Sequence, residues 1–410
     1  MQLEFYHKAF RIPGLKIFIK SQISLAGIYI HIPFCRQACY YCNFHFSTSL
    51  RYKNELIAAL LKEITSASPL SKRRGVGAEV IKTIYFGGGT PSLLTKEEIE
   101  NILKKIGSVF NVAPDAEITL EANPDDITEN KLKEWKEIGI NRLSIGIQSF
   151  FDEDLKWMNR AHNAQQAIGN LQLAIKYFDN ITIDLIYGTP GLTNEKWKQN
   201  VEKAIALKIP HLSGYALTVE PKTPLQKLIQ QHRSEDIDPE KQSEQFLLLM
   251  QWMEETGYEH YEISNFAKPR MRSRHNSSYW QGKNYYGFGP SAHSYDGKSR
   301  WWNIANNNIY IESINKGIIP FEKEELTITQ KINEYIMTSL RTSEGLFLNN
   351  EKLRMDNEQK EVKTIIDRLM KKSEKYIREG LMILKENNLV LTKKGKLFAD
   401  GIAADLFIDQ

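Results

Sequence analysis

The chain has 410 residues, 41% of them hydrophobic and 25% charged, a composition typical of a globular protein of about two to three domains. Its 54 basic and 50 acidic side chains leave a formal net charge of +4, so charge alone implies no nucleic-acid partner. Only three cysteines are present and all lie on one short segment, which excludes a disulfide framework and predicts a reducing, cytoplasmic compartment.

The first predicted feature is an N-terminal extension, residues 1–27, which lacks turns and clear periodicity. Its apolar stretch is interrupted by Arg11, Lys16 and Lys20, and no small-x-small cleavage site follows, so a signal peptide is rejected. No stretch reaches the roughly 18 consecutive apolar residues of a membrane span. We expect the extension to be dispensable and the natural start to lie near Leu25, which the intact mass of the native protein tests.

Strand-like and helix-like runs alternate from residue 28 onward. Strands are predicted at 28–32, 81–86, 117–121, 142–147, 181–186 and 212–217. Helical periodicity predicts helices at 51–66, 95–107, 128–138, 164–178, 194–207 and 240–256. Six β-α units in series predict a parallel sheet with right-handed crossovers, which an open doubly wound sheet and a partial barrel would both satisfy.

The first predicted strand runs directly into Cys35, Cys39 and Cys42, spaced C-x3-C-x2-C. A closed zinc site needs four ligands, whereas three cysteines on a [4Fe–4S] cluster leave one iron open. Three buried cysteines acting as small apolar residues are the alternative, but such residues would be scattered along the chain. The spacing resembles that of radical S-adenosylmethionine (SAM) proteins, in which SAM chelates the open iron. We therefore predict a cluster here.

Unusual residues also follow or end the later strands. The turn Gly87-Gly88-Gly89-Thr90-Pro91 follows the second, Glu121 ends the third and Gln148 follows the fourth, while Asp184 and Tyr215 lie in the fifth and sixth. In an open sheet, a ligand would be bound by only two or three loops, at the point where the strand order reverses. Contributions from all six units are instead typical of strand ends around a common mouth. The sequence therefore favours a partial (β/α)6 barrel.

The polar residues around this mouth suit an amino-acid or nucleoside ligand. Arg160 can pair with a carboxylate in a fork geometry, and Glu121 and Asp184 can accept hydrogen bonds from ribose hydroxyls or an ammonium group. Gln148 can donate or accept. The glycine turn lets backbone approach a ligand closely, although a tight strand-to-helix connection is its alternative explanation. Each residue alone is more often a surface or capping residue, so their common location carries the prediction.

Beyond a barrel at 28–265, residues 266–325 are predicted as an aromatic and glycine-rich connecting segment, in which 268–303 is predicted to be rich in loops. It contains the block His275-Asn-Ser-Ser-Tyr279-Trp280. Its aromatic faces would suit a porphyrin, and its histidine could approach the porphyrin iron. Packing of the rings against the barrel is the alternative, which the residues alone favour.

Residues 326–410 are predicted as a mostly helical, winged-helix-like C-terminal domain. Helices are predicted at 328–341 and 358–387, and a β-hairpin wing at 389–397. The basic residues of this domain would be consistent with DNA binding, but glutamates lie between them and interrupt any continuous basic surface that could contact the phosphate backbone. A solvated helix face is the better interpretation, and a transcription factor is rejected.

Residues 28 to about 405 resemble the radical SAM proteins of the oxygen-independent coproporphyrinogen III oxidase group. The resemblance rests on the cysteine loop, Gly-Gly-Gly-Thr-Pro, Asn123-Pro124, Gln148-Ser-Phe, Gly188-Thr-Pro-Gly and Gly287-Phe-Gly-Pro. It implies a [4Fe–4S] cluster on Cys35, Cys39 and Cys42. It further implies that SAM is bound by Tyr29, Gly88, Gly89, Thr90, Glu121, Gln148, Arg160 and Asp184.

Within that group, two features distinguish oxidases from heme chaperones. The oxidase pattern has a further cysteine two residues after the third, where this chain has Phe44. The block from His275 to Trp280 is similar to that of the HemW-type family, which are heme chaperones for respiratory enzymes at the membrane. This resemblance makes His275, Tyr279 and Trp280 the candidate heme site. The alternative is an oxidase that uses SAM radical chemistry to decarboxylate porphyrinogen propionates.

The resemblance also implies how such a chaperone would work. SAM and the state of the cluster are expected to control dimerisation or heme handover rather than to start a product-forming radical reaction. We expect a cytoplasmic protein, peripheral at the inner membrane when it meets its heme acceptors, able to form a homodimer and without a nucleic-acid partner. No catalytic residue and no coproporphyrinogen oxidase activity are assigned.

Overall fold

The structure is a computed structural model that describes residues 25–67, 79–350, 353 and 359–408. Of the predicted N-terminal extension, residues 1–24 lie outside the described ranges and residues 25–27 belong to the first strand. The strands of the first half are β1 (Leu25–Ile32), β2 (Val80–Gly88), β3 (Asn111–Ala122), β4 (Arg142–Gln148), β5 (Ile181–Tyr187) and β6 (His211–Ala216). The helices are α1 (Lys53–Ser66), α2 (Lys96–Val109), α3 (Glu129–Glu137), α4 (Asp152–Trp157), α5 (Ala164–Ile175), α6 (Asn194–Ala206), α7 (Pro224–Gln230) and α8 (Pro239–Glu255).

β1 to β6 pair in parallel and in chain order, which confirms the predicted partial (β/α)6 barrel. The strands form because their apolar residues are covered by helices, and Ile28, Ile30 and Ile32 of β1 are fully buried. Helix starts are fixed by side-chain caps: Thr95 and Asn163 each accept a hydrogen bond from the backbone N–H three residues on. Short 3-10 helices at Pro91–Leu93 and Pro124–Asp126 follow β2 and β3.

The barrel sheet continues beyond its parallel strands on both edges. A hairpin of β7 (Glu259–Glu262) and β8 (Asn265–Ala267) pairs antiparallel with β6. The segment 266–325 adds α9 (Arg274–Trp280), β9 (Asn284–Phe288), β10 (His293–Tyr295), β11 (Ser299–Asn303), α10 (Asn307–Asn315) and β12 (Phe321–Glu325). Over the described residues, this gives one twelve-stranded sheet in the order β12-β11-β10-β9-β1-β2-β3-β4-β5-β6-β8-β7.

The prediction that 268–303 is rich in loops was therefore wrong, because one helix and three strands lie there. β9 pairs in parallel with the open edge of β1, so that Gly27 lies opposite Tyr285, and β10 to β12 follow as antiparallel neighbours. These strands have only three to five residues each and find their first partner near the start of the chain. Neither property leaves a long alternating pattern in the sequence.

A buried carboxyl group fastens this added sheet to the barrel. Glu63 of α1 accepts hydrogen bonds from the Gly289 N–H at 2.8 Å, from Asn303 Nδ2 at 2.6 Å and from the Tyr310 hydroxyl at 2.6 Å. Burial raises the pKa of Glu63 to about 7, and the three donors only partly offset that rise. α1, the turn after β9, the end of β11 and α10 are thus held at one point.

The C-terminal elements surround a second, smaller hydrophobic cluster. They are α11 (Ile328–Leu340), β13 (Leu346–Phe347), α12 (Gln359–Arg378), β14 (Met382–Lys385), β15 (Asn388–Leu391), α13 (Lys393–Lys396) and α14 (Ala399–Leu406). Leu340, Leu369 and Leu389 are fully buried in this cluster. The small sheet has the order β13-β15-β14, and the winged-helix-like character of this part of the chain stays a prediction. Among the described helices, none has the length and apolar character needed to cross a bilayer.

Two of the predicted boundaries in this part were wrong. The helix expected over 358–387 ends at Arg378, and the hairpin lies at 382–391 rather than at 389–397. Glu386 and Asn387 join its strands with φ values of 50° and 68°. Two central residues with positive φ are what a type I′ hairpin turn requires.

Candidate functional site

The carboxyl ends of the barrel strands surround a cavity of about 530 Å³. Most of the residues predicted for the cluster and for SAM line it. They are Cys35, Cys39, Cys42, Gly88, Gly89, Thr90, Glu121, Gln148, Arg160 and Asp184. Tyr29 is the exception, because it lines a neighbouring cavity instead. The convergence follows from the parallel order of β1 to β6, which brings all their carboxyl ends to one side.

The cysteine loop is clamped between several elements. The Cys35 N–H donates to the Ser47 carbonyl at 3.0 Å, and the Tyr40 N–H donates to the Met158 carbonyl at 3.2 Å. The Tyr40 carbonyl in turn accepts from the Leu225 N–H at 2.9 Å. The three thiols are therefore held against the mouth of the barrel from both ends of the loop.

The donor set fits an iron–sulfur cluster better than a single ion. Within the described ranges, no group of three His, Cys, Asp or Glu side chains could hold one metal ion. In a cubane cluster each thiolate binds a different iron, so its ligands need not meet at one point. Burial raises the pKa of Cys35 to about 11, while the Thr90 hydroxyl at 3.4 Å from its Sγ favours the thiolate. Arg160 Nη1 lies 3.4 Å from Cys39 Sγ and supplies a positive charge.

The glycine turn after β2 is shaped by close packing against β1 and the cysteine loop. A Cβ on Gly89 would lie 2.6 Å from the Phe34 carbonyl oxygen, and one on Gly88 would lie 2.5 Å from the His31 ring. Gly88 also has a φ of 104°, which favours glycine. Both residues thus have a structural reason to be glycine, beside the backbone approach to a ligand that the sequence predicts.

Two buried carboxyl groups face the cavity. Glu121 accepts hydrogen bonds from the Tyr85 hydroxyl at 2.8 Å and the Gly88 N–H at 3.2 Å, and Asp184 lies on the neighbouring side of the mouth. Burial raises the pKa of Glu121 to about 7, and the nearby charge of Asp184 adds to the rise. Burial likewise raises the pKa of Asp184 to about 6, against a hydrogen bond from Ser213. A cationic ligand in the cavity would stabilise the charged forms of both carboxyl groups.

Arg160 is fixed in place by hydrogen bonds within the protein. Its Nη2 donates to Asn123 Oδ1 at 2.9 Å and to the Gly146 carbonyl at 2.8 Å. Its Nε is buried and lacks a hydrogen-bond partner among the described residues. Burial by itself lowers the pKa of Arg160, but the neighbouring Tyr41 and Cys39 more than offset this effect. The guanidinium is therefore a cation fixed in place, and its Nε–H has no partner among the described residues.

Two features of this cavity go beyond the predicted roles. Asn123 belongs to the Asn-Pro pair noted in the sequence, yet it carried no predicted role; it bridges Arg160 and the Thr90 hydroxyl. Gln148 has a φ of 67°, an unusual conformation for a residue with a side chain. Positive φ values at a non-glycine residue leave no direct signal in a single sequence.

A second cavity, of about 640 Å³, adjoins the first. Asn43 and Phe44 of the cysteine loop line both cavities. The rest of its wall comes from β1, α9, the added strands and α11. Its aromatic and histidine residues are Tyr29, His31, Phe44, His45, Tyr279, Trp280, Tyr285, His293, Tyr295 and Tyr335.

The predicted heme-site residues divide between the wall of this cavity and the layer behind it. Tyr279 and Trp280 line the cavity. His275 does not, because it is only 1% exposed and both its ring nitrogens have partners. Its Nδ1 lies 2.8 Å from the Thr83 hydroxyl and its Nε2 lies 2.8 Å from the Tyr279 hydroxyl. Burial lowers the pKa of His275 to about 3, so the ring is neutral and orients Tyr279.

Comparisons with known proteins come from sequence and from structure. Residues 29–204 match the model of the Radical SAM superfamily. The heme chaperone HemW of Bacillus subtilis is 34% identical over 382 residues, which cover 92% of this chain and 98% of that protein. The heme chaperone HemW of Mycobacterium tuberculosis is 31% identical over 386 residues, covering 93% of this chain and 94% of that protein.

A solved structure shares the whole architecture. The coproporphyrinogen III oxidase HemN of Escherichia coli, a radical SAM enzyme, superposes with a TM-score of 0.76 and covers 94% of this chain and 90% of its own. The two sequences are 23% identical, so this likeness shows the fold alone.

Proposed function

The chain belongs to the HemW family of radical SAM proteins, and on that basis we propose that it is a heme chaperone that delivers heme to acceptor proteins at the membrane. The observation that carries the proposal is the pairing of two cavities. One is lined by three cysteines and a polar set, and the other has aromatic walls and shares Asn43 and Phe44 with the first.

The first cavity is proposed to hold the cluster and SAM. Cys35, Cys39 and Cys42 would bind three irons of a [4Fe–4S] cluster, and the fourth iron would take the amino and carboxylate groups of SAM. When bound, this group supplies low-potential electron transfer to the SAM sulfonium. Glu121 and Asp184 would neutralise the cationic groups of SAM. Further SAM contacts are proposed for Gly88, Gly89, Thr90, Gln148 and Arg160.

Tyr29 has a different place in the proposal. It lies on the second cavity, with its ring stacked on Tyr85 at a centroid distance of 6.1 Å. Tyr85 in turn donates to Glu121, which faces the first cavity. A SAM contact by Tyr29 is therefore proposed only in this indirect form, through the Tyr85 and Glu121 side chains.

The second cavity is proposed to hold heme against Tyr279 and Trp280. His275 would act by positioning, because its ring nitrogens already bond the hydroxyls of Thr83 and Tyr279. Aromatic walls suit the flat apolar face of a porphyrin. We propose that residues 28–265 carry the cluster and SAM, that 266–325 supply most of the heme cavity, and that 326–410 close it through α11.

One anaerobic experiment tests the proposed function against its enzymatic alternative. The cluster is reconstituted, SAM and a reductant are added, and coproporphyrinogen decarboxylation is assayed beside a heme titration. Stoichiometric heme binding without turnover supports the chaperone. Robust formation of protoporphyrinogen would overturn it in favour of an oxygen-independent coproporphyrinogen III oxidase.

Handover and assembly need separate measurements. Heme-loaded protein is mixed with membranes that contain heme-free respiratory enzymes, and transfer is followed by the absorption spectrum of the acceptor. The proposed homodimer and its dependence on SAM are measured by sedimentation of the cluster-loaded protein with and without SAM. A cluster-free variant, Cys39→Ser, serves as the control in both.

A further inference from the structure

Three histidines of the second cavity carry no role in the proposed function: His31, His45 and His293. We propose that the cavity takes heme with its iron facing His293, which supplies the protein ligand, and with its propionates facing Lys283 and Lys331. This inference rests on the proposed heme-chaperone function and deepens it by assigning the ligand and the anion contacts.

His293 has the ring best placed to bind iron. It begins β10, is exposed within the cavity and stacks on Trp302 at a centroid distance of 5.8 Å and an interplanar angle of 26°. In the part of the chain that the structure describes, no hydrogen bond occupies either of its ring nitrogens. A neutral imidazole with a free nitrogen is a common ligand of heme iron.

The backbone that carries His293 is rigid. A Cβ on Gly287 of β9 would lie 2.0 Å from the His293 carbonyl oxygen, so the two segments are in close backbone contact. The next residue, Ser294, accepts a hydrogen bond from the Gly287 N–H at 2.8 Å. An iron ligand carried on a packed strand keeps its position when heme dissociates.

The other histidines are engaged elsewhere. His31 is buried, its Nε2 donates to the His45 carbonyl at 2.9 Å and its Nδ1 accepts from Tyr29 at 3.3 Å. His45 Nε2 donates to Asn307 Oδ1 at 2.8 Å, which leaves only its Nδ1. His275 lies behind the wall with both nitrogens bonded. His293 is thus the histidine of this group with both nitrogens available.

The walls suit a flat apolar ligand. Tyr279 and Tyr285 meet edge to face at a centroid distance of 4.7 Å, and Tyr285 also contacts Tyr295. Phe44, which is 66% exposed, and Trp280 complete the aromatic lining. The volume of about 640 Å³ lies within the roughly 300–1,000 Å³ of small-molecule and cofactor sites.

Cations on the rim suit the two carboxylates of heme. Arg300 is already paired with Glu324 at 3.7 Å and with Glu334. Lys283 and Lys331 also line the cavity, and neither forms an ion pair with any carboxylate in the described ranges. Their ammonium groups are therefore the ones available to propionates.

The ligand assignment is tested by titrating ferric heme and metal-free protoporphyrin IX into cluster-loaded wild type, His293→Ala, His45→Ala and His275→Ala. We expect His293→Ala to lose the histidine-ligated absorption and magnetic circular dichroism spectrum, and to bind heme about tenfold more weakly or worse. Its affinity for metal-free protoporphyrin should not change, and added imidazole should restore the spectrum. Unchanged spectra in His293→Ala, or loss only in His45→Ala or His275→Ala, would overturn the assignment.

The anion contacts are tested with heme and with its dimethyl ester. The double variant Lys283→Gln and Lys331→Gln should weaken heme binding about tenfold, as expected for charge-assisted hydrogen bonds, and leave ester binding unchanged. An equal effect on both ligands, or on neither, would overturn this part. If wild-type protein binds no heme at all, the proposed function itself fails; wild-type binding with an unaffected His293→Ala defeats only the present inference.

Discussion

Replacing the buried Glu63 by Gln perturbs the point at which the added sheet is fastened to the barrel. Gln keeps the shape but must direct an amide N–H₂ toward groups that now donate to Glu63. Whichever way the amide is turned, it meets either the Gly289 N–H or Asn303 Nδ2, both donors. At pH 5 Glu63 is protonated and adds one O–H to this group of donors, whereas Gln adds two N–H. We therefore expect the free energy of unfolding of Glu63→Gln at pH 5 to be lower than that of wild type by about 1–3 kcal/mol.

The pH dependence of that difference follows from the raised pKa of Glu63. The pKa rises from 4.5 to about 7 on folding, so the folded state binds the proton more tightly than the unfolded state. Stability from this group is fully present below pH 4.5 and is lost as the pH rises through 7. Between pH 5 and pH 8 wild type should lose about 2.5 kcal/mol relative to the variant, at roughly 1.36 kcal/mol per pKa unit.

The assay is urea unfolding of cluster-loaded wild type and Glu63→Gln at pH 5 and pH 8. The raised pKa values of Glu121 and Asp184 act in both proteins and cancel in the difference. Glu244→Gln, an exposed position in the middle of α8, serves as the control and should show no such change. A difference between wild type and Glu63→Gln that is the same at both pH values would refute the reasoning.

Three further changes test the two cavities. Gly89→Ala places a Cβ 2.6 Å from the Phe34 carbonyl oxygen, so it should lower the free energy of unfolding by about 1–3 kcal/mol and reduce iron incorporation. The control Gly169→Ala has open space around its Cβ and should change neither quantity in urea unfolding and iron analysis. Equal behaviour of the two variants would contradict the close packing at Gly89. In Arg160→Lys, the single ammonium group cannot make all the contacts of Arg160 to Asn123, Gly146 and Cys39. SAM affinity measured by equilibrium dialysis should therefore fall about tenfold, while iron content is retained. Unchanged SAM affinity would remove Arg160 from the proposed SAM site. Because Phe44 lines both cavities, we expect SAM binding to wild type to change the absorption spectrum of bound heme. Phe44→Ala removes part of this shared wall and should abolish that change. A SAM-dependent change that persists in Phe44→Ala would show that the coupling does not depend on Phe44.

The barrel could be predicted from the sequence because each strand is a compact apolar run and each helix has its period and cap. The predicted 181–186 and 194–207, for example, appear as Ile181–Tyr187 and Asn194–Ala206. The strands of 284–325 escaped prediction because they are short and depend on the edge of β1 for their pairing. The helix predicted at 358–387 was too long because the hairpin turn at Glu386 and Asn387 lacks the glycine that usually marks such a turn in a sequence.

In the site, too, some features could be predicted from the sequence and others could not. The positions of Cys35 and Glu121 at one mouth follow from parallel order, which the sequence reveals. The direction of a histidine ring does not: His275 and His293 lie in similar aromatic surroundings in the sequence, yet one is buried behind the wall and the other is exposed within the cavity. That difference depends on the partners Thr83 and Tyr279, which come together only in the fold.

The wall formed by Asn43 and Phe44 has a thermodynamic consequence. Each residue presents atoms to both cavities, so a ligand that displaces them on one side changes the space offered on the other. If SAM and heme occupy the two cavities as proposed, their binding free energies are linked, and linkage is reciprocal. Whatever factor SAM imposes on the affinity for heme, heme must impose on the affinity for SAM.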